Sequence, residues 1–460
     1  MKKFKIDYLI YVFIVLSPFL DVIGFLFREW FPDASLSPAT VLRPIIPLIL
    51  LGYIFFKDIK VRKYLIISAI IFIMYGGIHL LIYNSLKTGI SYGSLFSEMQ
   101  YVINYTYMLY VFFIVLYFYK KNGLEHLKQS LVFMLIGYML LIYIAILTGT
   151  SYTTYIEGMG YRGWFTSGNS LGTILILLVN ILLVDCIENK KLYKFITLLL
   201  TGIYLLFLLG TRTGMLGFIL NVIIYICSLI FVNLFKIKKI NFKKLGIGIV
   251  VIFLVVGSIF LFGSETLQRR KHIAEEGAGI IDVNTGEYGH VTGDSSAIIY
   301  QIKNNNVSED YMSDAQKKTY LDLYEYANKN EIDANDNRKQ QLIYHINLIK
   351  NQKNILYILF GNGYLANYGE MILEMEVLAI LFNFGIVGFV IYLGPFILLL
   401  GYLIYKIVKL KKYSVNSLMC LFGICLSFVL SFMAGYVFFS VSCTLIIISM
   451  YTLLVREVES

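Results

Sequence analysis

The chain has 460 residues, of which 58% are hydrophobic and 15% are charged, and its mean hydropathy is +0.73. Soluble domains carry about 25% charged residues, so this composition excludes a soluble globular protein and indicates an integral membrane protein. The formal net charge is +10. Lysines beside an anionic membrane leaflet account for most of this charge, so we predict no nucleic-acid partner.

Apolar segments recur along the chain, and a helix of roughly 20 apolar residues is long enough to cross a bilayer. The first segment starts after MKKFK and continues to Phe27 without a small-residue cleavage site, so we expect it to be retained as a helix. Together the segments predict an all-α polytopic membrane protein with about twelve transmembrane helices. They lie at about 6–27, 40–56, 64–83, 98–119, 130–148, 168–185, 194–210, 214–235, 245–262, 377–405, 414–434 and 437–455.

The polar connections between these segments alternate in charge. One set, which includes both ends of the chain, holds 23 Lys or Arg residues, whereas the short connections of the other set, with the helix ends beside them, hold five. By the positive-inside rule the lysine-rich set is cytoplasmic. The sequence therefore predicts two cytoplasmic termini, which agrees with an even number of helices.

Residues 263–370 are an exception to the pattern of short connections, and we place them outside the membrane between helices 9 and 10. They hold 11 Lys or Arg against 15 Asp or Glu, and a structureless loop of this length is improbable. We expect irregular structure over 265–311 and helices over 314–330 and 336–352. The apolar stripe of the second helix consists of Leu342, Ile346 and Ile349.

The chain therefore divides into three parts: helices 1–9 over 1–262, the large, partly helical extracytoplasmic loop over 263–370, and helices 10–12 over 371–460. The five cysteines lie in or beside apolar segments and none falls in the large loop. They form neither a disulfide framework nor a metal-ligand spacing, so no metal or other cofactor is predicted.

Arginine is concentrated on the predicted outer face. Four of the five basic residues there are arginine, whereas the cytoplasmic connections use lysine almost throughout. Because a guanidinium group offers a planar fork of donors that matches phosphate, this placement indicates an anionic ligand at the outer leaflet. The four residues are Arg28, Arg43, Arg162 and Arg212.

Each of these arginines also has a structural interpretation. Arg28 and Arg43 can be interfacial anchors at helix ends. Arg162 lies in GMGYRGWFTSGNS, just before helix 6, where the backbone donors of a helix start favour anions. Arg212 lies in GTRTG, a turn too short to leave the helix ends. The sequence favours a phosphate contact for Arg162 and Arg212 and leaves both interpretations open for Arg28 and Arg43.

The predicted membrane interior holds almost no charge. Asp21 and Glu98 lie near outer helix ends, and Asp7 and Asp185 lie near inner ones. Ion-coupled transporters usually carry ionisable residues at mid-depth, so the pattern counts against transport, although a flippase that uses a polar groove stays open. We expect His79, near the outer end of helix 3, to be a packed or interfacial histidine.

Several motifs resemble those of the O-antigen ligase and polysaccharide polymerase superfamily. They are the GTRTG turn, the GYRGWFTSGNSLGT start of helix 6, and FGNGY at 360–364 followed by EMEVLAILFNFGIVG at 374–388. The last stretch is similar to that of polymerases of Gram-positive capsule and exopolysaccharide systems. Ligases of the superfamily carry a His-Asn motif just after the glycine pair, whereas the stretch here, LANYGEMILEMEV, has no histidine.

The resemblance implies a metal-independent enzyme of the bacterial cytoplasmic membrane. Its donor and acceptor are glycans linked to polyprenyl diphosphate in the outer leaflet, and a flippase and a chain-length regulator are the protein partners implied. The resemblance also implies that Arg162, Arg212 and Arg338 lie near the diphosphate. The further substrate-binding residues expected on this face are Arg28, Arg43, Tyr161 and Asn169.

Glycosyl transfer also needs a base within hydrogen-bond reach of the incoming hydroxyl. Glu374 and Glu376 lie at the predicted mouth of helix 10, and His345 follows Arg338 by seven residues, on nearly the same helical face. The glutamates can instead be solvated helix-start charges, and His345 can be an exposed loop residue. A metal needs clustered carboxylates, and two glutamates that are two residues apart on a helix do not face the same way.

The sequence therefore predicts a membrane glycosyltransferase that polymerises lipid-linked oligosaccharide repeats on the outer face of the membrane. Two alternatives remain. The first is a ligase of the same superfamily that passes glycan to another acceptor. The second is a flippase or exporter of lipid-linked sugars without catalysis.

Overall fold

The computed structural model describes residues 5–32, 37–85, 95–155, 159–189, 191–236, 296–307, 314–330, 332, 337–364, 372–433, 435 and 437–459. These residues form helices almost throughout, with one short antiparallel pair of strands, β1 (Tyr152–Thr153) and β2 (Tyr161–Gly163). The first eight helices are α1 (Tyr8–Trp30), α2 (Pro38–Lys57), α3 (Ile59–Ser85), α4 (Leu95–Asn122), α5 (Leu127–Leu147), α6 (Gly168–Glu188), α7 (Leu192–Ile203) and α8 (Arg212–Lys236). The later helices are α9 (Ser296–Lys303), α10 (Asp314–Lys329), α11 (Asn337–Gln352), α12 (Ile355–Phe360), α13 (Glu376–Leu410), α14 (Val415–Met433) and α15 (Val441–Glu459).

The polytopic all-α fold is confirmed. Within the described ranges, ten helices are long and apolar enough to cross a membrane, namely α1–α6, α8 and α13–α15. The predicted segment at 194–210 is the shorter helix α7, which a π-helical turn over Tyr204–Leu208 continues. The predicted segment at 245–262 lies outside the described residues.

Basic side chains of different type lie at opposite ends of the bundle. Arg28, Arg43, Arg162 and Arg212 lie where α1 ends and where α2, α6 and α8 begin, and we call this the arginine end. Lysines bind helix partners at the other end, the lysine end. There Lys121 pairs with Asp58 at 3.0 Å, and Lys128 donates to Asn416 at 3.2 Å.

The most enclosed helices are α6 and α15, whose side chains are mostly buried, whereas α2 and α3 expose many large apolar side chains. A helix that is apolar on all sides is stable only when other helices surround it or in lipid. The centre of the bundle is therefore built around α6 and α15, and α2 and α3 lie at its lipid-facing edge.

Helix α13 is broken at Gly385, whose φ of 71° and ψ of −178° interrupt the helical backbone. The break leaves nearby carbonyl groups without their helical donors, and the FGNGY turn supplies replacements. The N–H of Asn362 donates to Phe382 O at 3.1 Å, and that of Gly363 donates to Asn383 O at 2.9 Å. A Cβ at Gly361 or Gly385 would overlap the backbone of the opposite segment. Only glycine therefore allows the two segments to meet.

Helices α9–α11 pack around a small core of their own. Two of them, α10 and α11, confirm the helices predicted over 314–330 and 336–352. The prediction of irregular structure is wrong for 296–303, which forms α9, because Ile298, Ile299 and Ile302 face this core. Residues 265–295 and 308–311 of the stretch predicted to be irregular lie outside the described residues.

The predicted apolar stripe of α11 is also wrong. Ile346 is half-exposed, and the buried face of the helix is shifted by one or two positions. Its members are Gln341, Tyr344, His345 and Leu348. This spacing still follows the helical repeat, but Tyr344 and Leu348, rather than Ile346, face the core of α9–α11.

Candidate functional site

Two arginines meet at one threonine at the arginine end. Arg28 donates from Nη2 to the hydroxyl of Thr166 at 3.1 Å, and Arg162 donates from Nη1 to the carbonyl oxygen of the same residue. In the described ranges neither arginine has a carboxylate partner. Two uncompensated guanidinium groups around one residue favour an anion between or beside them.

Aromatic rings hold the Arg162 guanidinium in place. Its Cζ lies 5.5 Å from the ring centre of Phe25 and 5.8 Å from that of Tyr152, and these rings pack edge to face. The Nε of Arg162 is buried and has no hydrogen-bond partner among the described residues. An unsatisfied buried donor is costly, so this group is suited to a ligand acceptor.

The turn that carries Arg212 packs on the segment that carries Arg162. Thr154 donates to Leu209 O at 2.7 Å, and the Tyr204 hydroxyl donates to Tyr161 O at 2.6 Å. The two glycine-rich motifs singled out in the sequence are therefore neighbours. Arg212 is exposed at the start of α8, without a hydrogen bond or ion pair in the described part of the chain.

Tyr161 and Asn169 belong to the same region. The Tyr161 side chain is exposed on β2, although its backbone oxygen is bound by Tyr204. Asn169 is the second residue of α6 and is partly buried, and its backbone oxygen accepts from Thr173. Both residues thus lie in the segment that carries Arg162 and begins α6.

Arg43 differs from Arg28 and Arg162 because its charge is compensated. It forms an ion pair with Asp21, which also accepts from the hydroxyl groups of Tyr138 and Ser442. This carboxylate connects α1, α2, α5 and α15. The contacts support a helix-joining role for Arg43.

Arg338 and Glu374 pair with each other. Arg338 Nε donates to Glu374 Oε2 at 3.1 Å, and both side chains are about half-exposed. The backbone N–H of Glu374 donates to Gln341 Oε1 at 3.0 Å. An exposed ion pair contributes about 0–1 kcal/mol, so a competing anion can separate these two residues.

Glu376 is buried, and both of its carboxylate oxygens accept hydrogen bonds. The backbone N–H groups of Val437 and Phe438 lie 2.6 and 2.8 Å from Oε2, and that of Phe439 donates to Oε1. The hydroxyls of Tyr105 and Ser431 add bonds of 3.3 Å. The alternative of a solvated helix-start charge is therefore wrong for Glu376, which instead holds the loop before α15.

His345 is fully buried, so the alternative of an exposed loop residue is also wrong. Its ring packs against those of Tyr344 and Phe382, with centroids 5.7 and 5.6 Å away. Burial raises the pKa of the Tyr344 hydroxyl above its ordinary value, so this neighbour stays protonated. Through Phe382, His345 lies next to the FGNGY turn.

Sequence reasoning missed a buried pair beside this turn. His79 Nε2 lies 2.9 Å from Glu98 Oε1 and Nδ1 lies 2.7 Å from Phe360 O, and both side chains are fully buried. Glu98 also accepts from the N–H of Tyr364 at 3.0 Å. His79 is indeed packed, as expected, but the pairing needed a contact between α3 and α4. The only clue in the sequence was two ionisable residues near the same end of adjacent segments.

The Glu98 pair belongs to a longer buried chain of polar groups. The Tyr364 hydroxyl lies 2.8 Å from that of Tyr105, which in turn donates to Glu376. The chain thus connects α3, α4, the FGNGY turn and the start of α13. Asn362, in the middle of this turn, is fully buried, and neither of its side-chain polar atoms has a partner among the described residues.

Residues 3–460 match the family model described as O-antigen ligase like membrane protein. The chain belongs to this family. It matches no curated protein and no solved structure.

Membership of the O-antigen ligase-like family indicates a membrane enzyme of the ligase or polymerase type and implies lipid-linked glycans as its substrates. It does not separate these two activities. The arginines predicted to contact the substrate are therefore of two kinds in this family member. Arg28, Arg162 and Arg212 have no carboxylate partner among the described residues, whereas Arg43 and Arg338 are paired.

Proposed function

We propose that this protein is a polymerase that joins polyprenyl-diphosphate-linked oligosaccharide repeats at the outer face of a bacterial cytoplasmic membrane. The protein is then oriented with the arginine end outside the cytoplasm and both termini inside it. The observation that carries the proposal is the meeting of Arg28 and Arg162 at Thr166, next to the turn of Arg212. Guanidinium groups without carboxylate partners suit a diphosphate better than a neutral sugar.

In the proposed reaction the hydroxyl of one lipid-linked glycan attacks the anomeric carbon of another. The bond between this carbon and the diphosphate oxygen breaks, and the polyprenyl diphosphate leaves with the bonding electrons. Arg162, Arg212 and Arg28 stabilise the charge that develops on the leaving group. A base accepts the proton of the attacking hydroxyl.

Of the three candidate bases, Glu374 has the most suitable surroundings. Its carboxylate is half-exposed and is held by a single arginine, Arg338. When the diphosphate draws Arg338 away, Glu374 is left free to accept the proton. Glu376, whose oxygens are already bonded, and His345, which is enclosed by rings, are positioning residues in this proposal.

A ligase is the second candidate function, because the family description names this activity without separating it from polymerisation. The resemblance of 374–388 to polymerases and the lack of a histidine after the glycine pair support the polymerase instead. A flippase and a chain-length regulator are the partners proposed for either activity.

Purified protein with a synthetic polyprenyl-diphosphate-linked repeat tests the proposal. We expect polymer to form without added metal and in the presence of a chelator. Arg162→Ala or Arg212→Ala should each lower the rate by roughly 10- to 150-fold, because a charge-assisted hydrogen bond contributes ~1.5–3 kcal/mol. Arg456→Ala, at the lysine end, is the matched control.

Other outcomes identify the rivals. Transfer of one glycan to a different acceptor, with no polymer, would indicate the ligase. Movement of the lipid-linked repeat across vesicles without any new glycosidic bond would indicate the flippase and exclude both enzymes.

A further inference from the structure

Helix α12 is short and apolar, and no residue in it is buried. Its sequence is ILYILF, and the side chains of Ile355, Leu356 and Ile358 are 68%, 43% and 42% exposed. Three large aliphatic side chains facing water on six residues would be unfavourable, because each buried apolar side chain gains roughly 1.5–3 kcal/mol. Something apolar therefore covers this helix.

The position of α12 indicates what covers it. At its end, Phe360 O binds His79 on α3, and the turn that follows is bonded to α13. On the same two helices, Leu81 of α3 and Val390 of α13 are exposed at 73% and 60%. Both lie on helices long enough to span a membrane. Helix α12 is thus attached to two membrane-spanning helices that themselves expose large apolar side chains.

The turn after α12 meets the condition for irregular backbone within a membrane. Such backbone is tolerated only where it is enclosed by protein and its polar groups are bonded. The N–H groups of Asn362, Gly363 and Tyr364 donate to Phe382, Asn383 and Glu98, respectively. Residues 361–364 are all buried.

The start of α12 marks a boundary with water. Asn354 caps the helix by accepting from the N–H of Leu356 at 3.0 Å, and Lys350 and Lys353 come just before it. Charged side chains are costly within the hydrocarbon region but not at its edge.

We propose that residues 355–364 are a re-entrant membrane segment. Helix α12 lies within the leaflet at the arginine end, where acyl chains of bilayer lipids cover its apolar side chains, and the FGNGY turn enters the protein. The last membrane part of the chain then begins at 355 rather than at 371. This inference does not depend on the reaction that the protein catalyses.

Spin labels on single cysteines in the full chain, reconstituted in liposomes, test this proposal. The labelled variants are Ile355→Cys and Ile358→Cys, in a background with Cys227→Ser and Cys425→Ala because these two native cysteines are not fully buried. Leu81→Cys on α3 is the control for lipid. Tyr326→Cys, on an exposed position of α10, is the control for water. A single symmetric peak in gel filtration shows that each variant is folded.

We expect relaxation by oxygen to exceed relaxation by a water-soluble nickel chelate at 355 and 358, as at 81, and the reverse at 326. A label at 355 and 358 that responds mainly to nickel would place α12 in water and overturn the proposal. A label that neither reagent reaches would show a protein partner in place of lipid, and this would also overturn it.

Discussion

The imidazole of His79 lies 2.9 Å from the carboxylate of Glu98, and both are closed off from solvent. The other ring nitrogen faces the carbonyl oxygen of Phe360, which can only accept. Nδ1 therefore donates to this carbonyl oxygen. The pair connects two spanning helices to the FGNGY turn.

Glu98→Gln should destabilise the protein strongly. Removing one partner of a buried pair costs about 3–5 kcal/mol, because the other polar group is left without its counterpart. Thermal unfolding in detergent measures the effect, and the exposed Glu125→Gln serves as control. The double variant His79→Phe, Glu98→Leu should recover part of the loss, and no recovery would argue against the pair as the cause.

A short-chain prenyl diphosphate should stabilise the wild-type protein against heat. If the ligand binds only the folded protein, a concentration of 100 times Kd adds about 2.7 kcal/mol. The double variant Arg28→Ala, Arg162→Ala should lose this stabilisation, because both cations at Thr166 are removed. Arg62→Ala at the lysine end should keep it. Equal stabilisation of the wild type and both variants would contradict an anion site at the arginine end.

Glu374→Gln should lower the polymerisation rate by roughly 10²- to 10⁴-fold, the usual contribution of a general base. The KM for the lipid-linked repeat should change little, since the amide keeps the shape of the side chain. Arg338→Gln should also lower the rate, through loss of a charge rather than of a base. If His345→Gln loses more activity than Glu374→Gln while remaining as heat-stable as wild type, the base is His345.

Asn362→Leu distinguishes a ligand-binding amide from an unsatisfied one. Replacing an unsatisfied buried polar group by an apolar group of similar shape is nearly neutral or stabilising. We therefore expect unchanged or higher heat stability together with a loss of activity, because the buried amide offers a donor and an acceptor to a sugar hydroxyl or a water. A stable and fully active variant would exclude this role.

Gly385→Ala should destabilise the protein, whereas Gly401→Ala on the same helix should not. Gly385 has a positive φ, and its Cβ would overlap the backbone of Leu359. A Cβ at Gly401 meets no atom within 4 Å, and alanine favours a helix by about 0.8–1.0 kcal/mol over glycine. Differential scanning calorimetry of the two variants in detergent measures the difference in their unfolding temperatures. Equal stability would mean that the break in α13 is not required.

Part of the site could be predicted because local sequence encodes it. Arg162 and Arg212 lie in glycine-rich turns between apolar segments, and these turns do pack together. The basic residues in the connections were enough to assign each segment end to the arginine end or the lysine end. The sequence could not show that Arg43 is paired while Arg162 is not. This difference arises because Asp21, on another helix, forms an ion pair with Arg43.

The sequence alone determined the class of this protein, because in lipid each apolar segment must satisfy its own backbone N–H and C=O groups, and a helix does so. It also determined where glycine and arginine interrupt those segments. Only the tertiary structure decided which charges are compensated, that Glu376 is a buried anchor, and that His79 meets Glu98. These outcomes depend on contacts between helices far apart in the chain, and periodicity within one helix does not encode them.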